Sequence, residues 1–147
     1  MKDFKLLIQK AYIGQKTSYA PYSHFPVGAA VLADDGCIYT GCNIENASYG
    51  AGICAERTAI FKAVSAGCRR IKEIAIVGPE GRYTYPCGIC RQVLAEFAGA
   101  DTPVILAKNP DEYIVRTLGE LLPGAFTSES LTSSDKIIST GDNHEKI

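Results

Sequence analysis

Phe4, Leu7, Ile8, Ala11 and Tyr12 recur at i, i+3, i+4, i+7 and i+8, the spacing of one buried stripe on a helix. This predicts a first helix ending near Lys16 to Ser18. The stretch "FPVGAAVLADDGCIYTGCNI" has no such period and reads as two antiparallel strands around Asp35-Gly36, a pair that supplies the positive φ of a tight turn. From Cys54 to about Ala66, the alanines with Ile60, Phe61 and Val64 predict a second helix, which Gly67 stops. "IKEIAIVG" follows as an apolar strand closed by the Pro79-Glu80-Gly81 turn. A third helix is expected from Cys87 to about Ala98, with Pro86 before it and Gly99 after it. "TPVILA" and "YIVRTL" read as strands joined at Asn109-Pro110-Asp111, with a short helix around Leu118 to Leu122.

The order α, β, β, α, β, α, β, β predicts a three-layer α/β fold: a five-stranded mixed sheet flanked by helices. Residues 1–126 read as one domain, and residues 127–147, rich in Ser, Thr, Asp and Lys, as a mobile polar tail. Composition narrows the function classes. Lysine plus arginine number 15 against 16 acidic residues, so no overall charge favours nucleic acid or an anionic membrane. The N-terminus lacks the apolar core of a signal peptide, and no apolar run could span a bilayer, so a cytoplasmic protein is expected. In a reducing compartment six cysteines suggest metal binding or burial rather than disulfides.

Cys54 stands at a helix start in "GICAERTAI", and Cys87 and Cys90 form a CxxC at another in "YPCGICRQVL". The CxxC alone fits a redox dithiol, half of a structural zinc site or two buried thiols. Adding Cys54 gives three candidate thiolate ligands. Neither His24, in a loop, nor His144, in the tail, offers an obvious fourth, and Cys37, Cys42 and Cys68 lack ligand spacing. Those last three read as small buried or semi-buried apolar residues. Three ligands with an open fourth position is the arrangement of a catalytic zinc.

Glu56 is too close to Cys54 to be a comfortable co-ligand on a regular helix, but it can reach a water at the metal and carry its proton to a substrate atom. The plainer reading is an acidic residue on the helix dipole. Three thiolates leave one Zn2+ net negative, so charge must be drawn off sulfur. Arg57, one turn from Cys54, can donate hydrogen bonds to the thiolates, assisted by the two helix N-termini.

With these residues in place, "YAPYSHFPVGAAV", "GCNIENASYG", "CAER", "PCGICRQVL" and "LLPGAF" resemble, in order, the small homotetrameric cytidine deaminases that act on free nucleosides. The resemblance implies one zinc per subunit on Cys54, Cys87 and Cys90, with Glu56 as proton shuttle. It also implies that Asn43 and Glu45 hold the ribose hydroxyls, that Phe25 packs on the pyrimidine and that the Ala55 N–H assists at the base. Ala47 and Tyr49 would approach a neighbouring subunit's site, and Phe126 would cap one. The implied reaction is hydrolysis of cytidine or deoxycytidine to uridine or deoxyuridine and ammonia, in pyrimidine salvage.

Two other readings stay open. A deaminase of a modified aminopyrimidine nucleoside such as blasticidin S would share much of the metal apparatus. A structural zinc module needs a fourth ligand and a binding surface, neither of which is visible, and leaves Glu56 without a task. A thiol redox protein leaves Cys54 and "NIEN" unexplained, and a polynucleotide deaminase lacks the net positive charge for phosphate contacts.

Overall fold

The first stripe forms helix α1 (Lys5–Gln15), which buries Leu7, Ile8, Ala11 and Gly14. The computed structural model describes residues 2–132. Strands β1 (Gly28–Ala33) and β2 (Ile38–Cys42) pair antiparallel with Leu32 opposite Ile38. Gly36 sits between them at φ 81°, a left-handed conformation that costs glycine nothing. Strands β3 (Ile71–Val77), β4 (Pro103–Ala107) and β5 (Tyr113–Thr117) complete the sheet, in the order β2-β1-β3-β4-β5. The β3–β4 pair is parallel and the others antiparallel, so the sheet is mixed.

Side chains alternate across this sheet and build two cores. On one face Ala30, Ala75, Val77 and Ile105 pack with the α1 stripe. On the other, Ala29, Val31, Ile74, Ile76, Val104 and Leu106 pack with Ala59, Ile60 and Ala63 of α2 (Ala55–Ser65) and Leu94 of α3 (Gly88–Phe97). The three layers are therefore helix, sheet, helix. Thr117 and Glu120 form a reciprocal capping box that starts the short α4 (Leu118–Leu121).

Two strand glycines let helices come close. A Cβ on Gly28 would lie 2.1 Å from the Ala11 carbonyl oxygen, and one on Gly41 would lie 2.5 Å from both Ala55 O and Ala59 N. Gln15 then ties α1 to the sheet end, donating to the carbonyls of Pro26 at 3.0 Å and Gly78 at 2.8 Å. Gly28→Ala is expected to destabilise the protein by about 3 kcal/mol, the upper part of the range for overpacking, because the obstacle is backbone. Gly50→Ala, where nothing lies within 4 Å, is its control. Equal denaturant midpoints for the two variants would remove this account of the α1–β1 contact.

Of the residues expected to form a polar tail, 128–132 are helical, and 133–147 lie outside the described residues. Among the described residues no helix is long and apolar enough to cross a membrane.

Candidate active site

The chain leaves β2 at Cys42 and reaches α2 through a loop that single bridges hold in place. Ile44 pairs with both Tyr19 and Ile53, and Tyr49–Ala51 makes one 3-10 turn. On the same face the chain leaves β3 at Val77 and reaches α3. Cys54 is the N-cap of α2 and Cys87 the N-cap of α3, both extended, with ψ of 155° and 166°. That conformation aims the two thiols out of the helix ends rather than along their sides. The helices were expected to begin on these cysteines; they begin one residue later because each cysteine caps its helix.

The thiols converge. Cys54 Sγ lies 3.8 Å from Cys87 Sγ, which lies 3.5 Å from Cys90 Sγ, and all three sulfurs fall within 4.8 Å of one another. A tetrahedral ion with Zn–S bonds of about 2.3 Å spaces its sulfurs about 3.8 Å apart, so the trio fits zinc in number, softness and spacing. Among the described residues no other group of three or more His, Cys, Asp or Glu could hold a metal. Away from this cluster Cys42 and Cys68 are buried as expected, but Cys37 is exposed, against the expectation of burial, because it sits at the hairpin turn ahead of β2.

Arg57 donates from Nη2 to Cys54 Sγ at 3.4 Å. Hydrogen bonding from Cys90, with Arg57 and Cys87 adding to it, pulls the Cys54 thiol down to about 5 against the effect of burial. The same sulfur contact, with burial, pushes Cys90 up, and the bond to Cys54 holds Arg57 above its ordinary value. Glu56 is only 5% exposed. Its burial raises the carboxyl, which lies against Cys90 and within the fields of Cys54 and Arg57. Ala55 opens α2, so its N–H has no intrahelical acceptor and is available to a ligand.

A pocket of about 480 Å³ opens beside this cluster and brings together Asn43, Glu45, Tyr49, Cys54 and Arg57. Tyr22 and Ser23, part of the "YAPYSHFPVGAAV" motif but given no role from the sequence, also line it. Their backbone N–H groups donate to Glu45 Oε1 at 3.0 and 3.1 Å, and bonding from Ser23 first of all draws the Glu45 carboxyl downward. Asn43 is even more committed. Its Nδ2 donates to Phe25 O and its Oδ1 accepts from Val27 N, both at 2.8 Å, while the Ser18 hydroxyl donates to the same Oδ1. These bonds fix the amide orientation and leave one Nδ2 hydrogen for a ligand.

Phe25 follows His24, a non-glycine residue at φ 52°, and packs half-buried on the larger core with the Arg82 guanidinium 5.7 Å from its ring centre. It does not line the pocket, nor do Glu56, Cys87 or Cys90. Ala47 and Phe126 are exposed and also lie outside it, while Tyr49 lines it although 81% exposed.

Comparison with known proteins points the same way as the sulfur geometry. Residues 1–107 match the family model described as the cytidine and deoxycytidylate deaminase zinc-binding region. The chain is 49% identical over 130 residues to a cytidine deaminase of Sporosarcina psychrophila, covering 88% of this chain and 96% of that one. It is 50% identical over 129 residues to a cytidine deaminase of Halalkalibacterium halodurans, covering 88% and 98%. The crystal structure of cytidine deaminase from Burkholderia pseudomallei superposes with a TM-score of 0.80 at 44% identity, over 85% of this chain and all of that one. This chain therefore belongs to the cytidine and deoxycytidylate deaminase family of enzymes.

Proposed function

We propose that the protein hydrolyses the exocyclic amine of cytidine and deoxycytidine, releasing ammonia and leaving uridine and deoxyuridine, with one zinc on Cys54, Cys87 and Cys90. The observation that carries this is the convergence of three thiols beside a buried carboxyl, with Cys54 of that trio lining a pocket. Zinc, when bound, supplies Lewis-acid activation that lets water attack at neutral pH.

The chain's own residues do the rest. Glu56 takes one proton from the attacking water and passes it to N3 of the pyrimidine, then takes the remaining proton of the new C4 hydroxyl and delivers it to the amine, which leaves as ammonia while C4 becomes a carbonyl. Its burial keeps that proton from exchanging with bulk solvent during the transfer. Arg57 draws charge from the thiolates, which would otherwise resist formation of a nucleophile beside them. Phe25 offers an aromatic face to the base, and the Ala55 N–H a donor.

Glu45 has a second carboxylate oxygen beyond the one bonded to Tyr22 and Ser23, and Asn43 has its remaining hydrogen. Together they hold the ribose hydroxyls. Exposed Ala47, Tyr49 and Phe126 support completion of each site by neighbouring copies in a homotetramer. Unpaired thiols suit the cytoplasm, where the activity would serve pyrimidine salvage.

The sugar contacts provide the test of substrate class. Wild type should deaminate the nucleosides and leave the free base cytosine almost untouched. Glu45→Ala should raise KM for cytidine about 10-fold or more, the cost of a hydrogen bond to a charged group, with a smaller change in kcat. Cytosine turned over as readily as cytidine would contradict a nucleoside site.

A further inference from the structure

We propose that Arg91 is a positioning residue for the turn that presents Cys87 and Cys90. It follows Cys90 directly, yet its side chain folds back across the turn. Nε donates to the Pro86 carbonyl at 2.8 Å, and the Arg91 backbone N–H donates to the Cys87 carbonyl at 3.1 Å. The second of these is the first helical bond of α3, so what the arginine side chain adds is a hold on the carbonyl of the peptide that leads into Cys87. The grip matters because Cys87 is exposed, sits at a helix N-cap and has no side-chain cap bond of its own.

The other end of the guanidinium is anchored. Nη1 donates at 2.6 Å to the carbonyl of Leu121, the last residue of α4, whose own start is fixed by the Thr117–Glu120 capping box. Arg91 thus references the ligand turn to a separate element, and a planar fork can serve two carbonyls at once where a lysine ammonium cannot reproduce the geometry. Gln92 donates to the Phe126 carbonyl at 2.8 Å, farther along the same segment and without touching the turn. The role rests on zinc binding at Cys54, Cys87 and Cys90.

The test compares wild type, Arg91→Met, Arg91→Lys and Gln92→Ala as full chains. Folding is checked by circular dichroism, zinc release is timed with a chromogenic chelator, and the thiolate-to-metal charge-transfer band is recorded after cobalt substitution. Arg91→Met, which keeps the apolar stem, should fold and release zinc about 10–100-fold faster with a changed cobalt band, as loss of a hydrogen bond supporting a ligand does. Arg91→Lys should restore little of the wild-type behaviour, and Gln92→Ala should retain it. Should Arg91→Met fail to fold, Arg91→Lys decides alone. Wild-type release and spectra in the folded arginine variants would overturn the assignment, as would an equal defect in Gln92→Ala. A wild type that takes up neither metal would instead sink zinc binding itself, and the role of Arg91 with it.

Discussion

Glu56→Gln should lower kcat on cytidine about 10²- to 10⁴-fold, the range a positioned acid-base group contributes, while zinc content stays at the wild-type level. Glutamine fills the same buried space two residues beyond Cys54 but cannot accept a proton and hand it on. Neither the sulfur triangle nor the Arg57 bond to Cys54 depends on the carboxylate charge, so metal affinity and folding should survive. Kinetics run beside elemental analysis separate the possible results. A near-normal rate would show that protons travel by another route, and loss of zinc would make Glu56 a ligand rather than a shuttle.

Cys90→Ser is expected to abolish both zinc retention and turnover. Cys90 is 1% exposed on the first turn of α3, so no neighbouring thiol outside the trio can swing in to replace it. A neutral hydroxyl is a harder and weaker donor than a thiolate. The loss of affinity should exceed the roughly 100-fold cost of removing a hydrogen bond behind a ligand. Cys68→Ser supplies the comparison, since that thiol is also buried, at 4% exposure, but lies apart from the cluster. Measured by metal content after dialysis, Cys68→Ser should remain loaded. Full zinc occupancy in Cys90→Ser would mean that the metal sits elsewhere.

The elements of this fold were legible in the sequence because each has its own local signal. The α1 stripe has a helical period, Asp35-Gly36 marks a hairpin, and Gly67 and Gly99 follow the last turns of α2 and α3. Strand order was not legible, since nothing local says that β1 lies between β2 and β3. The candidate ligands could be picked out because Cys54 and Cys87 stand at predicted helix starts and Cys90 lies at CxxC spacing from Cys87. Their convergence across 33 residues, from Cys54 to Cys87, is a product of the sheet and could only be inferred.

What escaped the sequence was the support around the site. The bridges of Ile44 to Tyr19 and Ile53 are single pairings with no periodicity to announce them. The clamp of Asn43 on Phe25 and Val27, and the capture of Tyr22 and Ser23 by Glu45, join segments about twenty residues apart through side chain to backbone bonds. Such bonds depend on the register of two loops, which residue type does not encode. Nothing in the sequence around the CxxC signals that Arg91 reaches Pro86 and Leu121.

The most direct test of the account is the ultraviolet absorbance of cytidine during incubation with zinc-loaded wild-type protein, with ammonia assayed in the same samples. The spectrum should shift to that of uridine, with ammonia appearing mole for mole. A fully zinc-loaded protein that leaves cytidine and deoxycytidine unchanged would contradict the account.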